Sequence, residues 1–180
     1  MKLNEIREII KQELNEYFKI HEYSLEDDLI MTNEITLGEL LNPEHSYPYY
    51  GDKELWKYKD MNDVEFFVRL TFQPLSKNPY LEFKTGWINK KGRAQYEPSI
   101  PPISPKSSAI DWDRRSDTVA KIYRDELLPY FEKQNLSNMM VIKPISTSRM
   151  KFAERLVKKF TPLDKFDIEY GNPLIIRKKN

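Results

Sequence analysis

Ser116–Phe131 (SDTVAKIYRDELLPYF) places apolar residues at helical spacing and opens the third of the chain that decides the fold. Met139–Ile145 (MMVIKPI) is an apolar run of strand length, and Ser148–Phe160 (SRMKFAERLVKKF) returns to amphipathic helical spacing. Phe166–Arg177 (FDIEYGNPLIIR) reads as two strands around a Gly-Asn-Pro turn. Helix, strand, helix and paired strands therefore follow one another between Arg114 and Lys179.

Two further strands precede this block. In Val64–Phe72, Phe66, Val68, Leu70 and Phe72 alternate with Glu65, Arg69 and Thr71, while Phe67 breaks the alternation. The second face of that strand is therefore expected to be partly covered. Tyr80–Ile88 alternates again, with Leu81, Phe83, Thr85 and Trp87 on one side. PLSKNP between the two strands is of hairpin length, and Asn89–Gly92 forms a turn into a short segment, Ala94–Tyr96. Glu97–Lys106 holds four prolines in ten residues, which fits an extended crossover rather than a strand or helix. The expected class is α+β, a mixed or antiparallel sheet packed with two to three helices.

The N-terminal part differs in character. Leu3, Ile6, Ile10, Leu14 and Tyr17 form one stripe of an amphipathic helix, which packs on its own domain or docks on a partner. From Glu22 to Lys59 turn signals interrupt any periodicity, and SYPYYGDKELWKYK (46–59) sets five aromatics among polar residues. Aromatics between charges can form a stacking surface for bases, but this stretch reads first as a Pro-pinned loop on the core. The divisions are a helix over 1–20, an acidic, aromatic-rich arm over 21–63 and an α+β core over 64–180, one domain overall.

Of the 180 residues none is cysteine, which removes disulfides, thiolate nucleophiles and zinc–sulfur sites together. No apolar run approaches the ~18 residues of a membrane span, and the first residues lack a signal peptide's apolar centre. These features point to a cytoplasmic protein with no membrane partner, or to a particle assembled in the cytoplasm. The formal charge of +1 conceals an asymmetry. Residues 21–65 carry 12 acidic and 3 basic side chains (net −9), and residues 66–180 carry 22 basic and 12 acidic (net +10). Such polarity suits an acidic segment folded against a basic body, or a polyanionic or protein partner.

Trp112–Thr118 (WDRRSDT) is placed at a helix N-terminus, where Asp113 or Ser116 can cap free N–H groups. Such an end attracts anions, and paired arginines add bidentate contacts. Hairpin strands, helix, strand, helix and two strands resemble the second half of the GNAT acyltransferase fold. Arg115-Ser116-Asp117-Thr118-Val119-Ala120 resembles that family's R-x-x-G-x-A pyrophosphate run, with Thr118 in place of the first glycine. The resemblance implies an anion site made by Arg114, Arg115, Ser116 and Thr118, with CoA or acetyl-CoA as the cofactor if the family's activity is kept. Val157 stands where family members carry a tyrosine beside the thioester. The opening KLNEIREIIKQELNEYF resembles the leading helices of small tailed-bacteriophage proteins, which implies a phage particle as one setting.

Arg149, Lys151, Arg155, Lys158 and Lys159 surround the apolar stripe of the later helix and offer a nucleic-acid-binding surface. His21 and His45 have no metal-ligand spacing, and no nucleophilic triad, P-loop or dinucleotide fingerprint is present, so neither a catalytic residue nor a metal is assigned. The function expected from the sequence is a non-enzymatic accessory or interaction protein. It would engage a protein partner through the N-terminal helix or the acidic arm. Acyl-CoA-dependent transfer and nucleic-acid binding stand as the alternatives.

Overall fold

The computed structural model describes residues 45–96, 109–144 and 147–179. The helix expected over 1–20, most of the acidic arm and the proline-rich crossover lie outside the described residues.

Eight strands form one sheet: β1 (Tyr49–Asp52), β2 (Leu55–Lys59), β3 (Glu65–Gln73), β4 (Tyr80–Ile88), β5 (Ala94–Tyr96), β6 (Met139–Ile142), β7 (Phe166–Glu169) and β8 (Leu174–Lys178). Their order is β1-β2-β3-β4-β6-β8-β7, with β5 also on β4. All pairs are antiparallel except β4 with β6. The class is α+β with a mixed sheet. The first two strands correct the reading of 46–59 as a loop, because Trp56 and Tyr58 alternate with Lys57 and Lys59 and extend the sheet beside β3.

Helix α1 (Ala109–Ile122) passes through a π turn (Tyr123–Leu127) into α2 (Leu128–Lys133); α3 is Thr147–Phe160. The helix thus begins seven residues before Ser116, and Arg114 and Arg115 lie inside it. The π turn has a local cause. Pro129 lacks an N–H and crowds the carbonyl four residues back, and the chain answers by widening one turn. The Leu128 N–H then reaches the Tyr123 carbonyl, five residues back.

Register sorts the side chains onto two faces. Tyr58, Phe66 and Trp87 form one cross-strand row, and Leu70, Phe83, Ile142 and Leu174 form another on the same face. Both helical connections, β4 to β6 and β6 to β7, step the same way along the sheet. Right-handed crossovers must then place both helices on one face. The contacts agree: Phe131 stacks on Phe166 at 5.7 Å, Tyr123 meets Phe83 edge-on at 6.5 Å, and the Tyr123 hydroxyl lies 2.6 Å from Thr161 Oγ1. Burying Leu70, Leu81, Ile122, Leu127, Met140 and Leu156 removes several side chains from water, each worth about 1.5–3 kcal/mol.

Polar side chains pair on the opposite face. Glu82 takes Lys84 at 3.0 Å, Lys143 at 3.3 Å and Gln73 at 3.0 Å. Burial pushes its carboxyl up, but the two lysines outweigh this and hold it below the ordinary glutamate range. Phe67 is buried on this face under the Tyr96 ring, 5.4 Å away, which accounts for the broken alternation in β3. Its ring fits because Gly86 is opposite in register, where a Cβ would lie 2.5 Å from Phe67 Cζ and 2.3 Å from the Gln95 carbonyl.

The parallel pairing is short. β6 follows β4 only over Leu81–Phe83, and β5 takes the same β4 edge at Gly86–Ile88. Strands β4 and β6 therefore part after Phe83, with β5 on the freed edge. Among the described residues no helix is long and apolar enough to cross a membrane.

Candidate functional site

The first half of α1 meets the β2–β3 turn and Tyr47. Asp60 organises that turn: its Oδ1 accepts the N–H groups of Asn62 and Val64, both at 2.9 Å. Asp63, at φ 59°, completes the turn in a left-handed conformation that aspartate tolerates better than most residues. The other Asp60 oxygen, Oδ2, accepts from Arg115, which also donates to Asp111 Oδ2 at 2.8 Å. Asp111 lies one helical turn before Arg115, so the helix itself sets this pair. Asp111 Oδ1 accepts the Tyr47 hydroxyl, which in turn accepts the Met61 N–H at 3.2 Å. Burial, then the Asp111 carboxylate, drives the Tyr47 phenol far above its ordinary range, so it stays protonated as a donor.

Arg115 is 5% exposed and lies 4.3 Å over the Phe66 ring. Its charge is met by two carboxylates inside the protein. Thr118 is buried too; its hydroxyl accepts the Tyr47 N–H at 2.7 Å and donates to the Arg114 carbonyl at 2.8 Å. Arg114 is half-buried, 5.8 Å from the Tyr47 ring, and Ser116 is half-buried. Of the four residues assigned to an anion site, two are thus enclosed in the network that fastens α1 to Tyr47 and the β2–β3 turn. All four lie beyond the first helical turn, away from the free N–H groups that make a helix end attract anions. What the sequence missed was Asp60 and Tyr47 as partners. Asp111, four residues before Arg115, was the available signal.

Asp117, also on α1, is 1% exposed, and its Oδ1 has no hydrogen-bond partner among the described residues. Burial, reinforced by Asp113, raises its pKa to about 6 against the opposing pull of His45 and Lys121.

The second set of assigned residues is on α3. Lys151, Lys158 and Lys159 are exposed, Arg149 and Arg155 half-buried, and Arg155 Nε donates to the Lys151 carbonyl at 3.2 Å. Ala153, Leu156 and Val157 face the core, so the helix keeps the amphipathic division expected for it. Among the described residues no group of three His, Asp or Glu is placed to hold a metal ion.

A third feature has no counterpart in the sequence reading. The far end of the sheet is a rim of loops after β3, before β6 and before β7. Ser137 Oγ donates to the Pro79 carbonyl at 2.7 Å, and the Lys178 N–H donates to the Asn138 carbonyl at 2.8 Å. Lys179 Nζ donates to the Leu163 carbonyl at 2.7 Å, and Lys165 reaches Glu132 at 2.6 Å. Each loop of this tied rim presents a leucine to solvent: Leu75 is 100% exposed, Leu163 65% and Leu136 50%. No protein-family model matches the chain, and no curated protein or solved structure matches it.

Proposed function

We propose that the chain is an accessory interaction protein that docks a macromolecular partner through the rim carrying Leu75, Leu136 and Leu163. The observation that carries this reading is the exposure of three leucines on three loops that hydrogen bonds hold together. A single exposed leucine needs no explanation, but three on one hydrogen-bonded end of the sheet suit the apolar centre of an interface. Exposed lysines surround it: Lys77, Lys133, Lys158, Lys159, Lys165 and Lys179, against Glu132, Asp164 and Asp167. That fringe selects an acidic partner surface and would speed its encounter. The resemblance of residues 1–18 to small tailed-bacteriophage proteins makes virion components the first partners to try. The test is capture of partners by tagged wild-type protein and by L75S/L136S/L163S. A partner held by the former and lost by the latter supports the reading; equal capture overturns it.

A second reading is acyl-CoA-dependent transfer. It is favoured by the strand order with one parallel pair, and by the two crossover helices on one face, which follow the element order of the GNAT fold. The enclosed Arg115 and Thr118, and β5 on the edge between β4 and β6, weigh against a bound pyrophosphate there. Fold order alone does not establish chemistry. Thermal unfolding with millimolar CoA and acetyl-CoA decides it, because a ligand of the native state must raise the transition by mass action.

A further inference from the structure

The leucine rim lies at one end of the sheet, and the first described residues lie at the other. Tyr47 is fastened to α1 and to the β2–β3 turn, whereas Leu75, Leu136 and Leu163 lie on loops along the opposite end, where β3 ends and β6 and β7 begin. Before His45 the chain runs for 24 residues, 21–44, with seven carboxylates (Glu22, Glu26, Asp27, Asp28, Glu34, Glu39 and Glu44) and no lysine or arginine. The same stretch carries Leu25, Leu29, Ile35, Leu37, Leu40 and Leu41. Acidic and leucine-rich, it is the chemical complement of a lysine-fringed leucine rim.

Length permits the contact. An extended chain covers roughly 3.3 Å per residue, so 24 residues reach about 80 Å, while a nine-residue strand such as β3 spans about 30 Å. Charge gives it direction, since each carboxylate brought to the fringe lowers the self-repulsion of a body carrying an excess of lysine. We propose that the acidic segment 21–44 docks on the Leu75–Leu136–Leu163 rim of its own chain. This rests on reading that rim as a docking face. It adds that an outside acidic partner must displace the segment to bind.

The chain has no cysteine, so N78C in the exposed β3–β4 turn accepts a single nitroxide beside Leu75. In dilute full-length protein at low salt, the amide signals of residues 21–44 are expected to lose most of their intensity. K133E/K165E, or high salt, is expected to restore it, because surface attraction is screened. Retention of those signals at low salt, with the Leu136 loop broadened as the internal control, overturns the proposal. Mixing spin-labelled unenriched protein with unlabelled nitrogen-15 protein tests the other geometry: broadening in that mixture assigns the segment to a second copy and overturns docking within one chain. If the segment stays unbroadened while L75S/L136S/L163S still loses its partner, the docking face stands and this inference fails. If neither effect is seen, both fail.

Discussion

The Arg115 guanidinium on α1 is held by the Asp60 carboxylate, 55 residues earlier in the β2–β3 turn, with both side chains almost wholly enclosed. This pair, completed by Asp111, joins the helix to the first half of the sheet. A buried ion pair adds little over a well-packed apolar replacement, but losing one partner is costly because the remaining charge has no water.

R115M therefore strands two buried carboxylates. It is expected to lose about 3–5 kcal/mol of stability, read as a lower urea midpoint with unchanged slope. R115K, which keeps the charge but loses the planar guanidinium over the Phe66 ring, should fall between wild type and R115M. A midpoint for R115M equal to wild type would mean that the network contributes nothing.

Tyr123 and Thr161 link the helical connection on one side of β6 to the end of α3 on the other, through a 2.6 Å bond between buried hydroxyls. Y123F leaves Thr161 Oγ1 enclosed without that partner. A loss of about 1–2 kcal/mol is expected, with native circular dichroism retained.

Asp117 gives a pH signature. Its folded pKa, about 6, lies above its ordinary 3.8, so the folded state holds a proton that the unfolded chain has released. The sign follows: its contribution is favourable at low pH, declines as pH rises from about 4 to 6, and is level above that. D117N is accordingly expected to be more stable than wild type at pH 7 by about 1–2 kcal/mol. The difference should shrink as pH falls to 4. A difference that is constant over this range, or grows toward acid, would contradict the assignment.

The exposed lysines of α3 predict salt-sensitive retention on heparin, with K151E/K158E eluting at lower salt. Unchanged elution of the variant would place any polyanion affinity elsewhere.

Regular periodicity made much of the sheet and the later helix legible. β4 carries a clean alternation and begins and ends where the sequence placed it, and α3 differs by one residue at its start. In β2, Trp56 and Tyr58 alternate with two lysines, but the Pro and Gly turn signals around them hid a strand of five residues. The start of α1 was misplaced because Asp113 and Ser116 are residue types that favour caps, whereas here they lie inside the helix. That displacement moved Arg114 and Arg115 away from the free N–H groups of the helix end, and Arg115 pairs instead with Asp60 and Asp111. The rim was unreadable in principle. Leu75, Leu136 and Leu163 lie in three turns far apart in sequence, and only the sheet order brings those turns together.

Comparing partner capture by wild-type protein and by L75S/L136S/L163S tests the central claim most directly. Because these leucines are exposed, the triple variant should unfold within about 0.5 kcal/mol of wild type per site, so that lost binding is not lost folding. The account predicts a partner that the wild type retains and the equally stable variant releases. Capture of the same partners by both proteins, or of none by either, would contradict it.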